Sequence, residues 1–245
     1  MLIHSMGNLL NAQDEWFGDF APQAVTAIAF QGGDLWAGTL GGAVRIQLMS
    51  NERESFNRVN SGLPSNRINA IAVHNQNLWI ASGLWWGPYA EQGGLSMFDG
   101  QEWTTHRLEI EEAPFAVAEA LAIDSLGQVW VGCDAGLASF DGEDWSLYNG
   151  DNVALPLENV RSVTIGEDGT LWAGTYSHLI KFDGNEWSAF DLNELGPFGS
   201  SGINNLVLDG EGNPWVAGGS FDPPQGLICL QNEVWVVLDT SNSGL

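Results

Sequence analysis

One short phrase occurs five times in this chain: Asp34-Leu-Trp-Ala-Gly-Thr, Asn77-Leu-Trp-Ile-Ala-Ser, Gln128-Val-Trp-Val-Gly-Cys, Thr170-Leu-Trp-Ala-Gly-Thr and Asn213-Pro-Trp-Val-Ala-Gly. The tryptophans Trp36, Trp79, Trp130, Trp172 and Trp215 follow one another at 43, 51, 42 and 43 residues. A period of this length means stacked or radial repeats instead of one irregular core. A repeated phrase describes the scaffold, so any functional site must lie where the copies differ.

Each copy reads as four short strands. The first is apolar and rich in β-branched residues, as in Val25-Thr-Ala-Ile-Ala-Phe30, Ile68-Asn-Ala-Ile-Ala-Val73 and Val160-Arg-Ser-Val-Thr-Ile165, which suits a buried strand. A turn follows; in copies three to five it is Asp124-Ser-Leu-Gly127, Gly166-Glu-Asp-Gly169 and Asp209-Gly-Glu-Gly212, where glycine supplies positive φ. The second strand carries the repeated tryptophan. A third ends in Phe98-Asp-Gly100, Phe140-Asp-Gly142 or Phe182-Asp-Gly184, and an Asp-Gly-type hairpin turn leads to a fourth headed by Trp103, Trp145 or Trp187; copy five keeps the shape with Leu230-Gln-Asn232 and Trp235. Four antiparallel strands in about 43 residues, repeated, describe the blade of an all-β propeller. A solenoid would need a helix in each repeat, and no stretch has the required 3.6-residue apolar period.

The blades resemble the two-component regulator propeller repeat of bacterial hybrid histidine kinase sensor regions. The matching features are the Leu-Pro-Ser-Asn-x-Ile opening at Leu63 to Ile68, the Gly169-x-Leu-Trp-Ala-Gly-Thr175 strand, the Gly93-Gly-Leu95 start of a third strand and the Phe-Asp-Gly-x-x-Trp hairpin. This resemblance covers residues 24 to 245. It implies a ligand-sensing propeller in the periplasm or outside the cell, of a kind usually fused to a membrane helix and a kinase; neither is present in this sequence.

The expected organisation is a single propeller domain over residues 1–245. Its full blades are 24–67, 68–116, 117–159, 160–202 and 203–245, preceded by a half-blade hairpin at 1–23 in which Trp16 takes the place of Trp103. The half blade has no partner strands within the chain, so association through it is one expectation. The start, Met1-Leu-Ile-His-Ser-Met-Gly, lacks the basic residue and apolar run of a secretory signal.

Charge narrows the partners. The 245 residues include 31 acidic and 7 basic ones, a formal net charge of -24, which repels nucleic acid and acidic lipid surfaces. No apolar run reaches the roughly 18 residues of a membrane span. The two cysteines, Cys133 and Cys229, have no metal-site spacing, and neither a metal nor another cofactor is expected.

Two sets of residues break the repeat. From the tryptophan to the Phe-Asp-Gly position there are 10 residues in copies three and four, but 19 in copy two and 15 in copy five. The copy-two insertion brings Trp85, Trp86 and Tyr89, flat rings with polar edges that suit a sugar, a neighbouring loop or a partner protein. The copy-five insertion adds Phe221 and Asp222, and Asp134, Tyr176 and His178 hold the corresponding places in the short loops. The second set comes from one position in strand one: Thr26, Asn69, Glu119, Arg161 and Asn204 form a candidate polar ring at the channel mouth, where Glu119 and Arg161 lie on adjacent blades and could pair.

These residues predict a non-enzymatic ligand-binding or sensory propeller, its small-molecule or oligosaccharide ligand held on the face with the strand 2–3 loops. A protein-interaction scaffold is the first alternative. A hydrolase or lyase using carboxylates at the channel mouth is the second, with Glu119 acting beside Asp134 or Asp222. No serine or cysteine lies in a Gly-x-Ser-x-Gly-type elbow, the four histidines fall at unrelated places in the repeat, and no catalytic residue is assigned.

Overall fold

Five separate sheets of four antiparallel strands make up the computed structural model, which describes residues 24–84, 91–108, 117–195, 202–218, 226–231, 234–239 and 242–243. Blade 1 comprises β1 (Val25–Gln31), β2 (Asp34–Thr39), β3 (Gly42–Gln47) and β4 (Arg53–Phe56). Blade 2 comprises β5 (Ile68–His74), β6 (Asn77–Leu84), β7 (Glu91–Phe98) and β8 (Trp103–Arg107). Blade 3 has β9 (Ala118–Ile123), β10 (Val129–Cys133), β11 (Gly136–Phe140) and β12 (Trp145–Tyr148), followed by a helical turn α1 (Gly150–Val153). Blade 4 has β13 (Ser162–Ile165), β14 (Leu171–Gly174), β15 (His178–Phe182) and β16 (Trp187–Asp191), followed by α2 (Leu192–Leu195). Blade 5 has β17 (Ile203–Leu208), β18 (Pro214–Gly218), β19 (Leu227–Gln231) and β20 (Val234–Leu238). Within each sheet the strands lie in chain order. This is the β-propeller that the repeat predicts, and its innermost strands neighbour one another in the sequence β1, β5, β9, β13, β17.

Four apolar cores join the five blades, and each follows from the repeated phrase. Trp36, Ala43 and Phe56 of blade 1 pack on Ile68, Leu78, Ile80 and Phe98 of blade 2. Ala81 and Leu95 of blade 2 meet Ala118, Val131 and Phe140 of blade 3. Trp130 and Leu137 then meet Val160, Leu171 and Ile180, and Trp172 and Leu179 meet Ile203, Val216 and Ile228. The alternation of strand side chains sends one set to the preceding blade and the other to the following one.

At the centre of these cores a small residue of the phrase receives the first residue of the next blade's inner strand. A Cβ built on Gly38 would lie 2.5 Å from Ile68 Cγ2, one on Gly132 2.8 Å from Val160 Cγ1, and one on Gly174 2.7 Å from Ile203 Cγ2. Copy two has Ala81 where copies one, three and four have glycine, and the first inner-strand residue in its core is correspondingly small, Ala118. Knob and socket volumes therefore compensate, as close packing requires.

The recurrent aspartates staple turns. In the three Phe-Asp-Gly loops, one carboxylate oxygen of Asp99, Asp141 and Asp183 accepts the backbone N–H groups two and three residues on, at 2.8 to 2.9 Å. These loops are four residues long, with Phe98 paired to Trp103, so the Asp-Gly pair opens the loop instead of forming a two-residue turn. Accepting N–H groups stabilises the ionised form, and all three carboxyls are held below their ordinary range. Many of the chain's acids are thus turn chemistry.

Trp172→Ala should cost about 3–5 kcal/mol of stability by emptying the blade 4–5 core. Gly174→Ala should cost about 1–3 kcal/mol by overfilling its socket. Gly33, where an added Cβ meets nothing within 4 Å, is the control. Denaturant midpoints of the three variants test the knob-and-socket account: an unshifted midpoint for Gly174→Ala would remove it.

Candidate functional site

Position two of four of the five inner strands is set by a break in register. In β1, β5, β9 and β17 the ladder shifts between the first and third residues, leaving Thr26, Asn69, Glu119 and Asn204 at the irregularity. Arg161 has the same place in blade 4, just before the Ser162–Gly174 pair. An unpaired residue of this kind redirects its side chain out of the sheet. The aligned residues Thr26, Asn69, Glu119 and Asn204 therefore share one backbone position.

The ring residues are not chemically equivalent. Thr26 Oγ1 donates to the Ile68 carbonyl at 2.6 Å and Asn69 Nδ2 donates to the Ala118 carbonyl at 2.8 Å, so both strap their blade to the first inner-strand residue of the next. Asn69 Nδ2 also donates to Gly83 O at 3.1 Å, while Asn69 Oδ1 accepts from Arg67 Nε at 3.0 Å. Its amide is committed to structure. Glu119, at the same position, carries no donor when ionised and so cannot make the equivalent bond to a backbone carbonyl. The Asn204 side chain lies outside the described residues.

Between blades 3 and 4 this produces a small cleft lined by Glu119, Asp134, Asn159, Val160, Arg161 and Tyr176, with about 10 Å³ open to the centre of a water molecule. Asp134 and Tyr176 come from the strand 2–3 loops and the others from the start of the inner strands, so the two predicted sets meet here. Asp134 Oδ1 accepts the Val117 N–H at 3.1 Å, which anchors that loop. Arg161 lies over the Tyr176 ring at 5.4 Å from its centroid, with Nη1 3.5 Å from the hydroxyl. The Glu119–Arg161 ion pair considered from the sequence does not form: cation–π stacking on Tyr176 holds the guanidinium instead. Burial raises the Glu119 carboxyl above its ordinary pKa; Arg161 and Arg67 oppose that shift and Asp134 adds to it. Beside the cleft, burial pushes the Cys133 thiol up to about 12, which leaves it protonated and unreactive.

His178 is not in the cleft. Its Nδ1 lies 2.8 Å from Ser177 Oγ at the start of β15. Trp85, Trp86, Tyr89, Phe221 and Asp222 lie outside the described residues. Sequence reasoning missed Arg67 and Asn159. The signal for Arg67 was composition: with only 7 basic residues in the chain, two flanking one glutamate is informative. A wider groove of about 500 Å³ opens at the other end of the inner strands, along residues Glu167, Asp168, Asp209 and Glu211. Asp168 and Asp209 there accept turn N–H groups, so these carboxylates are structural.

No protein-family model and no curated protein sequence matches the chain. Solved structures do. The extracellular domain of BT3049 from B. thetaiotaomicron, described as a hybrid two component system, is 20% identical with a TM-score of 0.67, covering 89% of this chain and 28% of that one. The chain thus spans little more than a quarter of that protein's length. Virginiamycin B lyase from Staphylococcus aureus is 11% identical with a TM-score of 0.67, covering 89% of this chain and 71% of that one. YCF48 bound to D1 peptide is 15% identical with a TM-score of 0.59, covering 89% of this chain and 68% of that one. At these identities the likeness establishes the fold.

The raised Glu119 pKa carries a sign. A carboxyl whose folded pKa lies above its unfolded one contributes fully below the ordinary value near 4.5, and that contribution is lost as pH rises through the folded value. Glu119→Gln should therefore melt higher than the parent at neutral pH, with the gap closing as pH falls to about 4. Melting curves of both proteins between about pH 4 and 8 test this; a gap that stays constant with pH would refute it.

Proposed function

We propose that this chain is a non-enzymatic, ligand-binding or sensory β-propeller, and that its ligand docks at the cleft between blades 3 and 4, on the face with the strand 2–3 loops. One observation carries this reading: Glu119 and Arg161 hold the blade position that Thr26 and Asn69 use as straps, yet they line one small cleft together with Tyr176 and Asp134. Thr26 and Asn69 spend their donors on the next blade. The guanidinium stacked on Tyr176 is a flat, donor-rich platform, and Glu119 and Asp134 supply acceptors beside it. Such a mixture suits the hydroxyls and ring faces of a sugar, the ligand class proposed here. The likeness to an extracellular domain described as part of a hybrid two component system supports a sensory role.

The enzyme reading rests on the same carboxylates. Glu119, kept above the ordinary carboxyl range by burial, lines the cleft with Asp134, and an acid and a base are what a lyase or hydrolase would need. Tying Asp134 to Val117 fixes one of its oxygens, which favours positioning over proton transfer.

A thermal-shift panel of neutral and amino oligosaccharides, run on the parent, Arg161→Ala, Tyr176→Ala and Trp85→Ala, separates the readings. At a hundredfold excess over the dissociation constant a ligand adds about 2.7 kcal/mol of stability. The expected result is a raised melting temperature in the parent that Arg161→Ala and Tyr176→Ala abolish. Product formation from the shifting compound would establish an enzyme. Absence of any shift across the panel would overturn the glycan reading in favour of a protein partner.

A further inference from the structure

Five blades share only four inter-blade cores among the described residues, so blade 1 presents a leading face with no blade described against it. The register shared with blade 2 places Val25, Ile28, Phe30, Leu35, Ala37, Val44, Ile46 and Arg53 on that face. Its inner end is open: Val25, Ile28 and Phe30 are 49%, 62% and 61% exposed. Farther out the exposure falls, although Arg53 at the outer edge is exposed. Ala37 is 2% and Ile46 6% exposed, although neither belongs to any of the four cores.

Blade 5 is a poor fit for this face. The socket residue of copy five is Ala217, the counterpart of Ala81, and the knob opposite an alanine socket is Ala118, whereas blade 1 would present the larger Val25. No packing comparable to that of the other inner strands joins β17 to β1. The same mismatch would meet a second copy stacked head to tail.

We propose that residues 1–23 of this chain cover the outer half of the leading face of blade 1, taking the place of a neighbouring blade. Three features select this occupant. Residues 7–20 are long enough for two strands of about five residues and a turn, and they bring Leu9, Leu10, Trp16, Phe17 and Phe20. Residues 21–24 are a short link into β1, so the segment stays at the millimolar effective concentrations of an intramolecular partner. The charges also match: residues 1–23 contain Asp14, Glu15 and Asp19 and no lysine or arginine, while Arg53 lies on the face at the position that Trp103 holds in blade 2.

A photo-crosslinking residue, p-benzoylphenylalanine, placed at Val44 of the full chain reads the occupant directly. The expected adduct joins position 44 to a peptide within residues 1–23 of the same chain. An adduct to blade 5, a crosslinked dimer, or no adduct would each overturn the proposal. In a second measurement, Ile46→Glu should lower the melting temperature of the full chain by several degrees and lower it much less in a chain lacking residues 2–20. Equal losses in both backgrounds would also overturn it.

Discussion

The fold depends on one contact repeated from blade to blade, a β-branched side chain seated on a glycine of the blade before it. Gly38, Gly132 and Gly174 leave room that Ile68, Val160 and Ile203 fill, and the fit is close enough that a single Cβ would collide. Because the repeated tryptophan stands two residues earlier on the same strand, it is brought against the next blade by the same contact; Trp36, Trp130 and Trp172 are all buried. The phrase Trp-x-Gly is thus a statement about the neighbour. It explains why copy two can exchange glycine for Ala81: its partner is Ala118.

Fixing the first residue of each inner strand leaves the second to vary. That residue sits where the ladder slips, outside the core and beside the carbonyl of the next blade, so a donor there welds two blades together. Thr26 and Asn69 do so. Glu119 and Arg161 do not, and the blade 3–4 junction is held by the hydrophobic seat of Val160 with backbone bonds such as Val160 N–H to Cys133 O at 2.9 Å. Giving up a strap costs roughly one hydrogen bond of net stability, of order 1 kcal/mol, a loss that the apolar core can absorb. Polar groups are released into the cleft at that cost.

What the sequence disclosed follows from the range of the forces involved. The blades, the strand order and the alignment of the ring position were all legible, since they rest on local periodicity and on a phrase that repeats. The fate of individual polar groups was not. Whether Arg161 would reach Glu119 or Tyr176 depends on the rotation between blades, which no single repeat encodes. The saturation of Asn69 depends on carbonyls 14 and 49 residues away. The Asp-Gly hairpin turns were legible in place but not in length, which is set by the pairing of Phe98 with Trp103 across the two strands.

The net charge takes on a different meaning once the acids are located. Asp99, Asp141, Asp183 and Asp209 are ionised because backbone N–H groups or an indole hold them so, the last down to about 2. These charges come with the turn chemistry of a blade and would recur with every added copy, whatever the protein binds. Glu119 is the opposite case, a carboxyl whose burial disfavours the charged form and whose place in the repeat asks for a donor. Without the donor that lets Asn69 strap blade 2, Glu119 leaves blade 3 without that bond and lines the cleft instead. The chemistry that loosens the junction is therefore the same chemistry that equips it to hold a polar ligand.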